Sequence, residues 1–271
     1  MVLVDAHVHM YDCFSVAGVF DAAAVNFASA ARSFKRGTSF SGILCLVEGA
    51  TERFLAGVRT QRLGRVWRGQ HGYWELEHNG CEPETLMVRR GNVQLAVIAG
   101  RQLVTREKLE VLAIGTTAPL EDGDPIEATL KAVHAVGAAA VLPWGVGKWL
   151  GGRGAIIDAI LADPQWSHVF LGDNGNRLRY GREPERFAAA RRAGRAVLPG
   201  SDPLPLPGEE RRVGGYGFAI DVDFDPLRPT AALLALLQSG ASFKAFGERE
   251  GLGGFFGKQL ALRLAQRQHV A

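Results

Sequence analysis

From Asp124 to Pro203 the sequence alternates between two kinds of segment, and this alternation constrains the fold more than any other feature. "DPIEATLKAVHAVG", "GRGAIIDAILADP" and "EPERFAAARRAG" carry apolar residues at helical spacing, whereas "AAAVLPWG", "HVFLGDNGN" and "RAVLPGSDP" are short apolar runs ending in polar or turn residues. Asp124 reads as the N-cap of the first helix and Pro125 as its first helical position. Strands and helices joined by such short loops require a parallel sheet with covering helices, either a closed barrel or a doubly wound sheet. A doubly wound sheet would offer one crevice and usually a glycine-rich phosphate loop. No GxGxxG or Walker-type loop stands here between a strand and a helix, so the sequence predicts a barrel.

The first half fits the same plan with one interruption. "MVLVDAHVH" and "SGILCLVEGA" read as buried strands, "VFDAAAVNFASAARSFKRG" as a helix with a glycine stop, and "TERFLAGVRTQRLG" as a short helix. From Val66 to Ile114 the chain is punctuated by Gly and Asn and partly alternating, the pattern of consecutive strands with hairpin turns. The tail reads as two helices around a Gly-rich turn, with "FGEREGLGGFFGKQ" as loop and "GKQLALRLAQRQ" carrying an apolar stripe. At 271 residues the chain fits one barrel domain, 1–271. Residues 66–91 form a strand-rich insert, which covers one barrel end or makes a dimer edge, and 228–271 a C-terminal helical extension.

Polar residues recur just past the strand ends: His7 and His9, Glu48, Lys148, Asp173 with Asn174, and Ser201 with Asp202. In α/β barrels that rim carries the chemistry. Residues i and i+2 of a strand share a face, so His7 and His9 project together, at a separation one divalent ion can bridge. Asp5, at the same spacing, is expected to orient an imidazole. Asp202 follows a short apolar strand that the barrel brings beside the first, and it reads either as a third ligand or as the start of an Asp-Pro turn. Two imidazoles and a carboxylate suit Zn, Mn or Fe and leave positions open for water. Glu48 reads as a further ligand or as a partner for a rim cation. Lys148 and Arg153 read as anion-binding groups or as exposed cations of a structural loop. Asp173, Asn174, Asn176 and Arg177 follow a strand in "LGDNGNRL"; Asp173 is a candidate ligand or general base, or part of an unaided turn.

These motifs resemble the PHP (polymerase and histidinol phosphatase) family of metal-dependent phosphoesterases. "VDAHVHM" resembles its opening DxHxH, "HVFLGDNGNRL" the strand leading to an Asn, and "VLPGSDPLPLPG" its terminal Gly-Ser-Asp motif. The resemblance implies a distorted TIM-like (β/α)7 barrel with metal ligands along the rim. Only His7, His9 and Asp202 keep the family's ligand types. Glu48 and Gly49 stand where Asp-His is expected, Gln102 replaces a glutamate, and Glu110, Leu142 and Leu204 replace histidines. The resemblance therefore implies a reduced, mononuclear site of His7, His9 and Asp202, with Glu48, Glu110 or Asp173 as a fourth donor.

The function expected is hydrolysis of a small anionic substrate such as a phosphate ester, with Asp173 or Asp202 taking a proton and Lys148 or Arg177 binding the anion. Two alternatives stand beside it: an inactive barrel serving as a binding or assembly module, with Leu142 and Leu204 making the rim apolar, and an amidohydrolase-type enzyme cleaving C–N or C–O bonds. A net charge of +3 implies no strong field toward nucleic acid or membrane, and the Arg177–Arg195 cluster, interleaved with Glu183 and Glu185, reads as a solvated helix face. Cys13, Cys45 and Cys81 show no CxxC spacing and read as reduced, which with the absence of a signal peptide points to the cytoplasm.

Overall fold

The computed structural model describes residues 1–37, 40–222 and 224–251, with 253, 257 and 258. Its first half runs β1 (Val2–Val8), α1 (Val16–Ser33), β2 (Ser41–Glu48), α2 (Phe54–Arg59), β3 (Val66–Gly69), β4 (Gly72–His78), β5 (Thr85–Arg90), β6 (Val93–Val104) and β7 (Glu110–Ile114). The second half runs α3 (Ile126–Ala135), β8 (Ala139–Pro143), α4 (Gly152–Ala162), β9 (Phe170–Asn174), α5 (Glu185–Arg192), β10 (Val197–Gly200), β11 (Tyr216–Ile220), α6 (Pro229–Gln238) and β12 (Lys244–Gly247).

The main sheet follows the order β10-β9-β8-β7-β6-β2-β1-β11-β12 and curls into a nearly closed, distorted TIM-like barrel. β1, β2 and β6 are mutually parallel, as are β8, β9 and β10, while β7 runs antiparallel to both its neighbours. The reversal of β7 puts its first residue, Glu110, at the rim where the parallel strands end. β10 returns to β1 without a strand ladder: the Ser201 N–H donates to Asp5 Oδ1 (2.8 Å) and the Asp202 N–H to the His7 carbonyl (2.8 Å). Gly200 permits that approach, since a Cβ there would stand 2.5 Å from the His7 backbone nitrogen.

Strand alternation sorts the apolar side chains into two layers. Val4, Ile43, Ile98, Leu112, Val141, Phe170 and Leu198 fill the barrel, and Leu233 and Leu237 of α6 join them. Leu3, Leu44, Leu46 and Leu95 face outward against α1, and Leu142, Leu171, Ile157 and Phe187 pack under α3–α5. Strands β3–β5 occupy the 66–91 stretch as an antiparallel extension hung on β6.

Two local expectations change. α3 begins at Ile126 with Pro125 at the cap position, and its first N–H donates to Glu107 Oε2 (3.1 Å) rather than finding a cap in Asp124. Proline at the cap has no side-chain acceptor, so a neighbouring turn supplies one. Residues 244–247, the last two of which were read as loop, form β12 on the outer edge of β11. The second tail helix, read in "GKQLALRLAQRQ", lies outside the described residues from residue 259 onward.

Candidate metal centre

β1 reaches the site through an irregularity. Its ladder with β2 shifts between Asp5 and Val8. Before the shift, even-numbered Val2, Val4 and Ala6 face the barrel interior; after it, Val8 faces the outer layer with Leu3. One residue of shift exchanges the faces, and so His7 and His9 point inward where unbroken alternation would have sent them out. Asp5 precedes the shift and lies on the other face. It does not orient an imidazole, as the even spacing had promised. Its carboxylate accepts the N–H groups of Ser201, Gly214 (both 2.8 Å) and His7 (3.3 Å), tying β1 to the returning chain. Burial pushes this carboxyl up to about 6 against the pull of those bonds.

Across the inner face, His7 Nε2 and His9 Nε2 stand 3.0 Å apart. Asp202 Oδ1 lies 3.5 Å from the first and 3.9 Å from the second. The donor atoms of these three residues all fall within 4.8 Å of one another. Two nitrogens on one ion at about 2.1 Å stand about 3.0–3.4 Å apart, so the imidazole pair fits a shared ion as it stands. His9 and Asp202 are each aimed from behind. His9 Nδ1 donates to Glu52 Oε1 (2.9 Å), which leaves Nε2 as the free lone pair, and Tyr11 stacks on the His9 ring at 5.1 Å. Asn174 and Asn176 donate to Asp202 Oδ2 at 2.9 and 3.3 Å, leaving Oδ1 to the imidazoles. Asn176 is held in turn by Arg212. Asp202 itself adopts a left-handed φ of +46°, a conformation Asp tolerates better than most residues. His7 Nε2 also faces Gln102 Oε1 at 3.1 Å.

The electrostatics match this geometry. Burial lowers both imidazole pKa values; at His7 it prevails over Asp202, while at His9 the bond and charge of Glu52 outweigh it and the net shift is upward. Burial raises the Asp202 carboxyl, but His7, His9 and Lys148 together hold it below the usual carboxylate range.

The remaining residues singled out in the sequence divide between the two faces. Lys148 forms an ion pair with Glu110, whose strand parity puts it on the inner face with Leu112. Glu48 shares the outer face with Leu46 and accepts the Leu55 N–H (2.8 Å), capping α2. Arg153, in the first turn of α4, bonds the Gly147 carbonyl of the preceding loop. Asp173 and Arg177 pair with each other on the far side of β9 from Asn174. Arg177 Nε and Nη2 donate at 2.8 and 2.7 Å, and the Tyr216 hydroxyl donates to Asp173 Oδ2 at 2.7 Å. Leu142 is fully buried under the helices and contributes nothing apolar to the rim.

Glu52 and Tyr11 were missed from the sequence. A second carboxylate four residues beyond Glu48 in "EGATE" was the available signal for Glu52; nothing marked Tyr11.

Fold and site together define a distorted TIM-like barrel carrying a His-His-Asp cluster where the ends of β1 and β10 meet. No protein-family profile matches the chain, and no curated protein matches its sequence. Among solved structures it is similar to PsfC from Pseudomonas syringae PB-5123, over 99% of this chain and 98% of PsfC, with a TM-score of 0.52 at 14% identity. It is also matched to the lesion-specific endonuclease PfuEndoQ from Pyrococcus furiosus, over 90% of this chain and 57% of that one, with a TM-score of 0.48 at 10% identity. The PsfC likeness speaks to the fold alone, and the PfuEndoQ match is too distant to add to it.

Proposed function

We propose that this protein is a metal-dependent hydrolase of small phosphate esters, working with one divalent ion held by His7, His9 and Asp202. The observation that carries this reading is the convergence of His7 Nε2, His9 Nε2 and Asp202 Oδ1, with His9 aimed by Glu52 and Asp202 by Asn174. The resemblance of "VDAHVHM" and "VLPGSDPLPLPG" to the PHP motifs supports the phosphoester class.

Zn, Mn or Fe in this site would lower the pKa of a bound water and polarise the scissile group. The chain's own residues do the rest. Glu52 fixes the His9 tautomer and raises its basicity as a ligand. Asn174 and Asn176 keep Asp202 monodentate. Lys148 gives the substrate anion a cationic partner on the inner face. Glu110, bonded only to Lys148 among the described residues, is the carboxylate we assign to hold the proton released from water. Asp173 and Arg177, engaged with each other on the other face, have no part in turnover on this reading.

The test is elemental analysis of the purified protein alongside turnover of p-nitrophenyl phosphate and bis(p-nitrophenyl) phosphate. The His7→Ala, His9→Ala double variant is expected to lose both metal and turnover. Metal retained by that variant, or wild-type protein inert with Zn, Mn and Fe alike, overturns the proposal.

A further inference from the structure

The Asp173–Arg177 pair left out of that mechanism borders a cavity of about 380 Å³. The cavity occupies the gap between the two ends of the sheet. Val197 and Pro199 of β10 line one side, and Tyr216 and Phe218 of β11 with Ala245 and Gly247 of β12 line the other. It contains neither histidine of the metal cluster nor Asp202.

Five charged groups line it. Asp173 is bound by three donors: two nitrogens of Arg177 and the Tyr216 hydroxyl. Glu183 and Arg191 form an ion pair at 2.9 Å near the exposed mouth. Arg249 bonds the Arg179 carbonyl (3.2 Å) and has no carboxylate partner among the described residues. Three cations against two carboxylates leave one positive charge. Arg177 is only 5% exposed, and its third guanidinium nitrogen, Nη1, is buried with no hydrogen-bond partner among the described residues. That nitrogen is out of reach of a water molecule, so Arg177 contributes its charge to the cavity and not a free donor. The cavity thus combines one net positive charge, with Arg249 its unpaired cation among the described residues, and apolar walls from Phe218, Phe243, Val197 and Pro199.

We propose that this gap is a second binding site, separate from the metal cluster, for a small organic carboxylate with a ring-sized apolar body. The carboxylate would pair with the Arg249 guanidinium, and the body would lie against Phe218 and Phe243. The single net charge favours a monoanion, and the volume falls at the small end of ligand pockets.

The probe is 4-bromobenzoate, followed by titration calorimetry and by bromine anomalous scattering from soaked crystals. Expected results are saturable binding, one bromine peak in the gap between β10 and β12, and at least tenfold weaker binding of the neutral 4-bromobenzamide. Arg249→Ala, a change at a half-buried position away from the core, should weaken 4-bromobenzoate at least fivefold. Absence of binding, a bromine peak elsewhere, equal affinity for acid and amide, or wild-type affinity in Arg249→Ala each overturns the proposal.

Discussion

β1 and β9 look alike in sequence. Each is a short apolar run ending in residues able to bind metals or move protons, and the structure gives them opposite fates. At β1 the ladder slips by one residue and turns two histidines into the barrel, where they meet Asp202. At β9 alternation continues: Asn174 faces in to position Asp202, while Asp173 faces out and is consumed by Arg177 and Tyr216. Strand-end position selects which residues can be functional. Side-chain parity decides which of them are.

If that contrast is right, the two clusters respond differently to mutation. The largest effect belongs to the outer one. Asp173→Ala strands the buried Arg177 charge and is expected to cost about 3–5 kcal/mol in chemical denaturation, with metal content per folded molecule unchanged. Loss of metal in that variant would break the separation of the faces. Tyr216→Phe removes one bond to the same carboxylate and should cost about 2 kcal/mol by the same measurement, again without touching metal binding.

The inner cluster should show the reverse pattern. Glu52→Gln leaves the fold intact but weakens the hold on the His9 tautomer, and metal affinity measured against a competing chelator should fall about 10–100-fold. A variant that binds as tightly as wild type would show that His9 needs no such orientation. The smallest effect is Glu48→Ala. As a cap of α2 it should cost about 1 kcal/mol of stability and leave metal affinity alone; a drop in affinity would instead make Glu48 part of the metal site.

Much of the barrel was legible because it rests on local rules. Helical spacing and apolar runs separated β8, α4, β9, α5 and β10, and turn residues marked the strands between Val66 and Ile114. The pairing of His7 with His9 was also legible, since both lie beyond the slip, where neighbours at i and i+2 share a face. The role of Asp5 was not, because the slip falls between it and His7. Glu48 and Glu52 show the same limit: the nearer carboxylate turns out to a helix cap, while the one four residues on reaches His9.

The sequence by itself determined the kinds of element, their order and the short list of residues able to hold an ion, because periodicity and residue chemistry are properties of neighbours along the chain. Only the tertiary structure decided which of those residues meet. That choice depends on a one-residue slip in β1, on the reversal of β7 that brings Glu110 to the rim, and on the glycine that lets β10 close against His7. Each is a contact between strands distant in sequence, set by packing across the barrel, and no pattern local to the chain encodes it.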